Sequence, residues 1–211
     1  MTTRPVAAVI LAAGASQRLG RPKALVRLPS GKTLLQHAVG IAVGVGLEPA
    51  VTVRDHDRIL ARAIATAGAR PLPVAEASEG MAASVRAAAA FAAHEADALL
   101  ILLVDQWRLT SQDLSRLLER RGPDRVIAAE YAGRPGVPAL FPKRFYADLA
   151  TLSGDSGARN LLRSGALPVE SVEMSHARCD LDTPESLADL RSFDPLPQSN
   201  LDRAEPTDRP P

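Results

Sequence analysis

Three compact apolar runs, Val6–Ala12, Ala50–Val53 and Ala98–Val104, constrain this chain more than any other feature. Each is bounded by turn or polar residues, and none alternates strictly between apolar and polar positions. A strand with one wet face reads as an alternation, whereas a strand covered on both faces reads as a continuous run. The runs are therefore expected as strands of a parallel sheet with both faces covered. Helical patterns lie between them. Thr33 can cap a helix to about Val45, with Leu34, Leu35, Ala38, Ile41 and Ala42 as its apolar stripe. A second helix is expected over Asp57–Thr66, stopping before Gly68. Ser78 and Glu79 introduce a third, with Met81, Val85, Ala88 and Ala92 on one face. A fourth begins at Thr110 or Ser111 and stops before Gly122-Pro123. This alternation argues for an α/β domain: a doubly wound, mostly parallel sheet with helices on both faces.

After Val126–Ala129 the pattern loosens. Gly133–Pro138 reads as a loop, followed by a short strand through Phe141. Helices near Tyr146–Leu152 and Ser156–Arg163, a strand around Val169–Met174 and a last helix from Pro184 complete the reading. From Asp194 the proline density and the lack of apolar periodicity mark a disordered tail. The expected organisation is one domain over residues 1–193 and a tail over 194–211. With 46% hydrophobic residues in 211, there is apolar material for one substantial core.

Charge and cysteine content narrow the function. Lys and Arg number 25 against 24 Asp and Glu, so the chain has no electrostatic footprint for nucleic acid or an anionic membrane. A small ligand is expected instead. Cys179 is the single cysteine, which excludes an intramolecular disulfide and a thiolate metal cluster and suits the cytoplasm. The apolar run at Val6–Ala13 is too short for a membrane span. His37, His56, His94 and His176 show no metal-ligand spacing.

The chemistry concentrates in Leu11-Ala12-Ala13-Gly14-Ala15-Ser16-Gln17-Arg18-Leu19-Gly20-Arg21-Pro22-Lys23. A buried strand empties into a loop of small residues carrying Arg18, Arg21 and Lys23. Small residues let backbone N–H groups approach phosphate oxygens, and the cations neutralise remaining charge. Gly14 and Gly20 do not fit the dinucleotide fingerprint. Gly31-Lys32-Thr33 is not a Walker loop, because the glycine it would need is Val26. Asp105 is the second anchor. It follows the run Ala98–Val104, so its carboxylate emerges where a buried strand ends, and a hard oxygen there suits Mg²⁺.

The opening loop resembles the signature loop of the MobA-like NTP transferases, and most of all the molybdenum cofactor cytidylyltransferase group. The likeness continues in order through Gly31–Ala38, Glu79–Arg86, Val104-Asp105-Gln106, Gly133–Pro138, Gly154–Arg159 and Asp180–Glu185, across roughly residues 6–192. It implies a Rossmann-like fold and a Mg²⁺-dependent nucleotidyltransferase. Leu11, Ala12, Ala13, Gly14, Ser16 and Gly20 would wrap the triphosphate, with Lys23 on the α-phosphate and Arg18 on the outer phosphates. Gly80, Met81 and Ser84 would lie near base and ribose. Asp105 would carry the metal, completed by Asp182 or Asp180, although Asp182 and Glu185 also read as a helix capping box. The Ala12-Ala13-Gly14 sequence resembles the cytidylyl rather than the guanylyl branch, which implies CTP over GTP as donor, and the family likeness implies a phosphorylated acceptor, molybdopterin. Transfer to a sugar phosphate, or nucleotide binding with little turnover in a chaperone-like homologue, are the alternatives.

Two positions depart from that pattern. Trp107 stands where a proline is usual, and Val137 where a histidine is common. Both are expected to reshape the acceptor pocket, Trp107 by offering an indole face for stacking.

Overall fold

The computed structural model describes residues 5–14, 22–155 and 157–178. Ser16, Arg18, Gly20, Cys179, Asp180, Asp182, the helix expected from Pro184 and the tail from Asp194 lie outside them. Seven strands form one sheet: β1 Val6–Leu11, β2 Pro49–Arg54, β3 Arg70–Val74, β4 Ala98–Leu103, β5 Val126–Tyr131, β6 Arg134–Pro142 and β7 Val169–Glu173. The helices are α1 Leu34–Val43, α2 Arg58–Thr66, α3 Met81–Glu95, α4 Ser111–Glu119, α5 Tyr146–Ala150 and α6 Gly157–Arg163. The strand order is β3-β2-β1-β4-β6-β5-β7. β3, β2, β1 and β4 run parallel, β6 is antiparallel to both β4 and β5, and β7 returns parallel to β5. The expected doubly wound, mostly parallel architecture is therefore present.

Alternate residues of the continuous runs enter two separate cores. Ile10, Val51, Val53, Leu100 and Leu102 pack with the buried residues of α1, α2 and α4. Val9, Leu11, Leu99 and Ile101 pack with those of α3, α5 and α6. The first connections wind outward on one face from β1 to β3, and α3 then crosses back beneath the other face to β4. The order reverses between β1 and β4, which opens a crevice at the carboxyl ends of these two strands.

Local chemistry sets the helix starts. Thr33 Oγ1 accepts from Gln36 N at 3.1 Å while Gln36 Oε1 accepts from Thr33 N at 2.8 Å, a reciprocal box that begins α1. Asp57 caps α2 by accepting from Leu60 N, and Thr110 and Asp113 form a second box at α4.

Three expectations need correction. β3 escaped the sequence reading because its residues, Arg-Pro-Leu-Pro-Val, include two prolines. Prolines at alternate positions direct both missing N–H groups to one side, and an edge strand can leave that side unpaired. The segment read as a loop at Gly133–Pro138 belongs mostly to β6, which begins at Arg134. Its pairing with β5 jumps from Ala128↔Ala139 to Ala129↔Gly136, so Val137 and Pro138 bulge out of that ladder. Met81 does not share the buried face of α3. It is 41% exposed, while Val85, Ala88 and Ala92 are fully covered.

Candidate active site

The crevice between β1 and β4 brings Lys23 and Asp105 together beside the start of the loop that follows Leu11. Leu11 pairs with Leu103, and Val104 N donates to Leu11 O at 3.2 Å, so the loops after β1 and β4 leave the sheet side by side. Lys23 opens a short 3-10 turn, Lys23–Leu25, after Pro22. Its Nζ donates to Asp105 Oδ2 at 2.8 Å, and both side chains are largely covered, at 16% and 13% exposure. The cation and the carboxylate drawn from two distant loops thus meet at one point.

The start of the loop after β1 is pinned from β2. Thr52 Oγ1 accepts from Ala12 N at 2.8 Å and from Ala13 N at 3.3 Å. Arg54 Nε donates to Ala13 O at 3.0 Å. Ala12 and Ala13 therefore shape the loop, with their amides already engaged, and Gly14 is the first described residue of the loop exposed beyond them. Sequence reasoning missed Thr52 and Arg54. A fully buried threonine inside the apolar run Ala50–Val53 was the available signal, because a buried hydroxyl needs a partner.

Gln106, which the sequence marks only as the neighbour of Asp105, holds the site together. It is 4% exposed. Its Oε1 accepts from Leu103 N at 3.2 Å, and its Nε2 donates to Val137 O at 2.7 Å and to Ala177 O at 3.0 Å. The bulge in β6 is what turns Val137 O toward it. One carboxamide thereby ties the Asp105 loop to β6 and to the 3-10 turn Ser175–Arg178. His176 of that turn reaches Asp113 Oδ2 through Nε2 at 2.9 Å. Burial pushes the Asp113 carboxyl up, but hydrogen bonds from His176 and Thr110 outweigh it and leave it below the ordinary carboxylate range.

The two acceptor candidates are not an open pocket. Trp107 is 6% exposed in the core beneath α1 and α4, with the Arg108 guanidinium 4.7 Å from the centre of its ring. Val137 is 5% exposed in the other core. Their side chains lie on opposite faces of the sheet. A large apolar side chain at the end of a buried strand gains more from the core than from the crevice, and the expected free indole face is absent.

Gly80 and Met81 lie at the start of α3. Gly80 has φ 123°, and a Cβ there would strike the Asp155 carboxylate and Gly154 O. The Gly154-Asp155 turn thus sits against this helix start. Arg86 anchors the contact, donating from Nη1 to Glu79 Oε1 at 2.8 Å and to Leu152 O at 2.9 Å, and from Nη2 to Glu76 Oε2 at 2.8 Å. The Arg86 hydrogen bond holds the Glu79 carboxyl below its usual range. Ser84 is buried at 4% within α3, away from open surface.

Among the described residues no three His, Cys, Asp or Glu side chains gather to hold a metal ion. Asp105 still suits Mg²⁺, which needs only one or two carboxylates alongside phosphate oxygens and water. Asp105 Oδ2 receives Lys23, and Oδ1 accepts no hydrogen bond among the described residues. No helix among the described residues is long and apolar enough to cross a membrane.

The family model of the MobA-like NTP transferase domain matches residues 8–172, which contain the whole of this crevice. The chain belongs to the MobA-like NTP transferase family. Among relatives of this family member, Nicotine blue oxidoreductase of Paenarthrobacter nicotinovorans is 34% identical over 86% of this chain and 94% of its own. The crystal structure of Rv0371c from Mycobacterium tuberculosis H37Rv superposes with a TM-score of 0.78 at 29% identity, covering 92% of this chain and all of that one. A manganese complex of Rv0371c gives a TM-score of 0.74 at 26% identity, covering 91% of this chain and 100% of that one.

Proposed function

We propose that this MobA-like transferase moves CMP from CTP to a phosphorylated acceptor, with molybdopterin the favoured acceptor class, in a Mg²⁺-dependent reaction. The observation that carries the reading is the Lys23–Asp105 pair, 2.8 Å apart at the crevice between β1 and β4. In the reaction, an acceptor phosphate oxygen attacks the α-phosphorus. The bond from that phosphorus to the bridging oxygen breaks, and pyrophosphate leaves with the electron pair. Little covalent work falls to the protein, so positioning and charge neutralisation dominate. Mg²⁺ would supply charge stabilisation at the phosphate oxygens when bound. Asp105 would hold it, with Asp182 or Asp180 as a further carboxylate. Lys23 would shift from Asp105 toward the α-phosphate oxygens, and Arg18 would meet the outer phosphates. The manganese complex of Rv0371c supports a divalent cation in a protein of this fold.

Thr52 and Arg54 fix the start of the loop that would follow the triphosphate, and the Gly154-Asp155 turn would frame the base and ribose side beside Gly80 and Met81. CTP is the expected donor because Ala12-Ala13-Gly14 resembles the cytidylyl branch. Pyrophosphate release from CTP or GTP with Mg²⁺ and molybdopterin or a sugar phosphate tests the reading. Turnover with CTP and molybdopterin is expected; tighter binding of GTP by calorimetry would reverse the base assignment.

A second reading is oxidoreductase activity, favoured by the 34% identity to Nicotine blue oxidoreductase. A redox change of nicotine blue in the presence of the chain, with no pyrophosphate formed from CTP, would select it.

A further inference from the structure

A second feature on the same rim carries a charge that no carboxylate answers among the described residues. A hollow of about 570 Å³ is lined by Tyr131, Ala132, Arg134, Arg159, Arg163 and Arg178. Four guanidinium groups from three parts of the chain converge there: one at the start of β6, two on α6 and one at the end of the 175–178 turn. Among the described residues no carboxylate forms an ion pair with any of the four, whereas most other paired arginines of the chain, such as Arg70, Arg86 and Arg144, meet a Glu or Asp. Arg163 is held in place by Nε, which donates to Pro135 O at 3.0 Å and leaves the rest of the guanidinium to the hollow. Tyr131 can reach this wall only because Gly136 has no side chain, since a Cβ there would strike its phenol ring. Like charges collected without counter-charge repel, and a planar fork of donors matches an oxyanion bidentately.

The hollow lies at the same end of the sheet as Asp105. β4 and β6 are antiparallel with Ile101 opposite Ala139, so the rim at Arg134 and Pro135 stands level with the loop that follows β4. β5, which brings Tyr131, is two strands from β4 in the order β4-β6-β5. Two strand spacings amount to about 10 Å. A phosphate attacking at Lys23 and Asp105 therefore does not itself fill the hollow.

We infer that the hollow binds a second oxyanion group of the acceptor, about 10 Å from its attacking phosphate. This rests on the transferase reading and narrows it: the acceptor carries two anionic ends, one held by four arginines and one presented to the donor. Gln106 keeps the two in register, because the same side chain holds the Asp105 loop and the turn that carries Arg178.

Sulfate is the probe, since it is a divalent oxyanion that does not take up the nucleotide. It is titrated by calorimetry into the full chain, free and saturated with CTP and Mg²⁺. Saturable binding is expected in both states. The double variant Arg159→Gln/Arg178→Gln should weaken it tenfold or more and change CTP affinity less than twofold. All four arginines are exposed, so circular dichroism should show the variant folded. Equal sulfate affinity in the wild type and the double variant would overturn the inference, as would a parallel loss of CTP affinity. If CTP does not bind the wild type, the transferase reading fails, and the titration of the nucleotide-free chain still decides the hollow.

Discussion

At the scale of single residues, the site turns on charge. Asp105→Asn keeps the shape and removes the charge that a cation needs, so pyrophosphate release should fall by about 100-fold or more with the fold intact. Near wild-type rates at saturating Mg²⁺ would take Asp105 out of the site. His37 reports on the adjoining core. Its ring meets Leu109 O through Nε2 at 3.0 Å. Burial is the main cause that lowers its pKa, with Lys32 adding to it and the Leu109 carbonyl opposing. The folded state then binds a proton less readily than the unfolded chain, so the stability it contributes is complete above the ordinary value of 6.5 and is lost as pH falls below it. His37→Gln should flatten the decline of melting temperature between about pH 7 and 5.5, a window set by the histidine pKa; an unchanged slope would assign the decline to other groups. Lys23 and Asp105 were legible in the sequence because each charge sits at the end of an apolar run or a small-residue loop. Thr52 and Gln106 were not, since an uncharged side chain gives no sign of which backbone groups it will satisfy.

Elements were legible wherever a single period dominated. β1, β2 and β4 fell on continuous runs, and α1 and α4 on stripes with capping residues in front of them. β3 and the first half of β6 were hidden by proline, which signals a turn in isolation and marks a free edge or a bulge in a sheet. The bulge of β6 matters because it offers Val137 O to Gln106. Gln106→Glu removes both donated hydrogen bonds and sets a carboxylate against two carbonyls, at a cost of about 2–4 kcal/mol. Urea unfolding should show that loss, and Gln106→Leu a loss of the same sign, since it strands the same carbonyls. A variant as stable as the wild type would mean that water takes over both acceptors.

At the scale of the molecule, the sheet divides its labour. The parallel strands β3, β2, β1 and β4 frame the crevice with Lys23 and Asp105, and the mixed strands β6, β5 and β7 carry the arginine hollow. The segment from Asp194 has the composition of a tail with little to bury, so a chain ending at Phe193 is expected to keep its melting temperature and CTP affinity. Loss of either on truncation would show that the segment docks on the domain. The position of β4 has a consequence for how the protein comes into being. β4 enters between β1, where Val6 pairs with Ala98, and β6, where Ala98 also meets Pro142. Until a ribosome has delivered residue 142, the two most apolar strands cannot both be sealed on their hydrogen-bonding sides. Val-Ala-Ala-Val-Ile-Leu and Ala-Leu-Leu-Ile-Leu-Leu are uncharged, proline-free hexapeptides of the kind that stack between chains. Nascent chains stalled before β6 are thus the ones most exposed to aggregation, because the centre of the sheet stays open until residue 142 and only the β5–β7 edge closes after it.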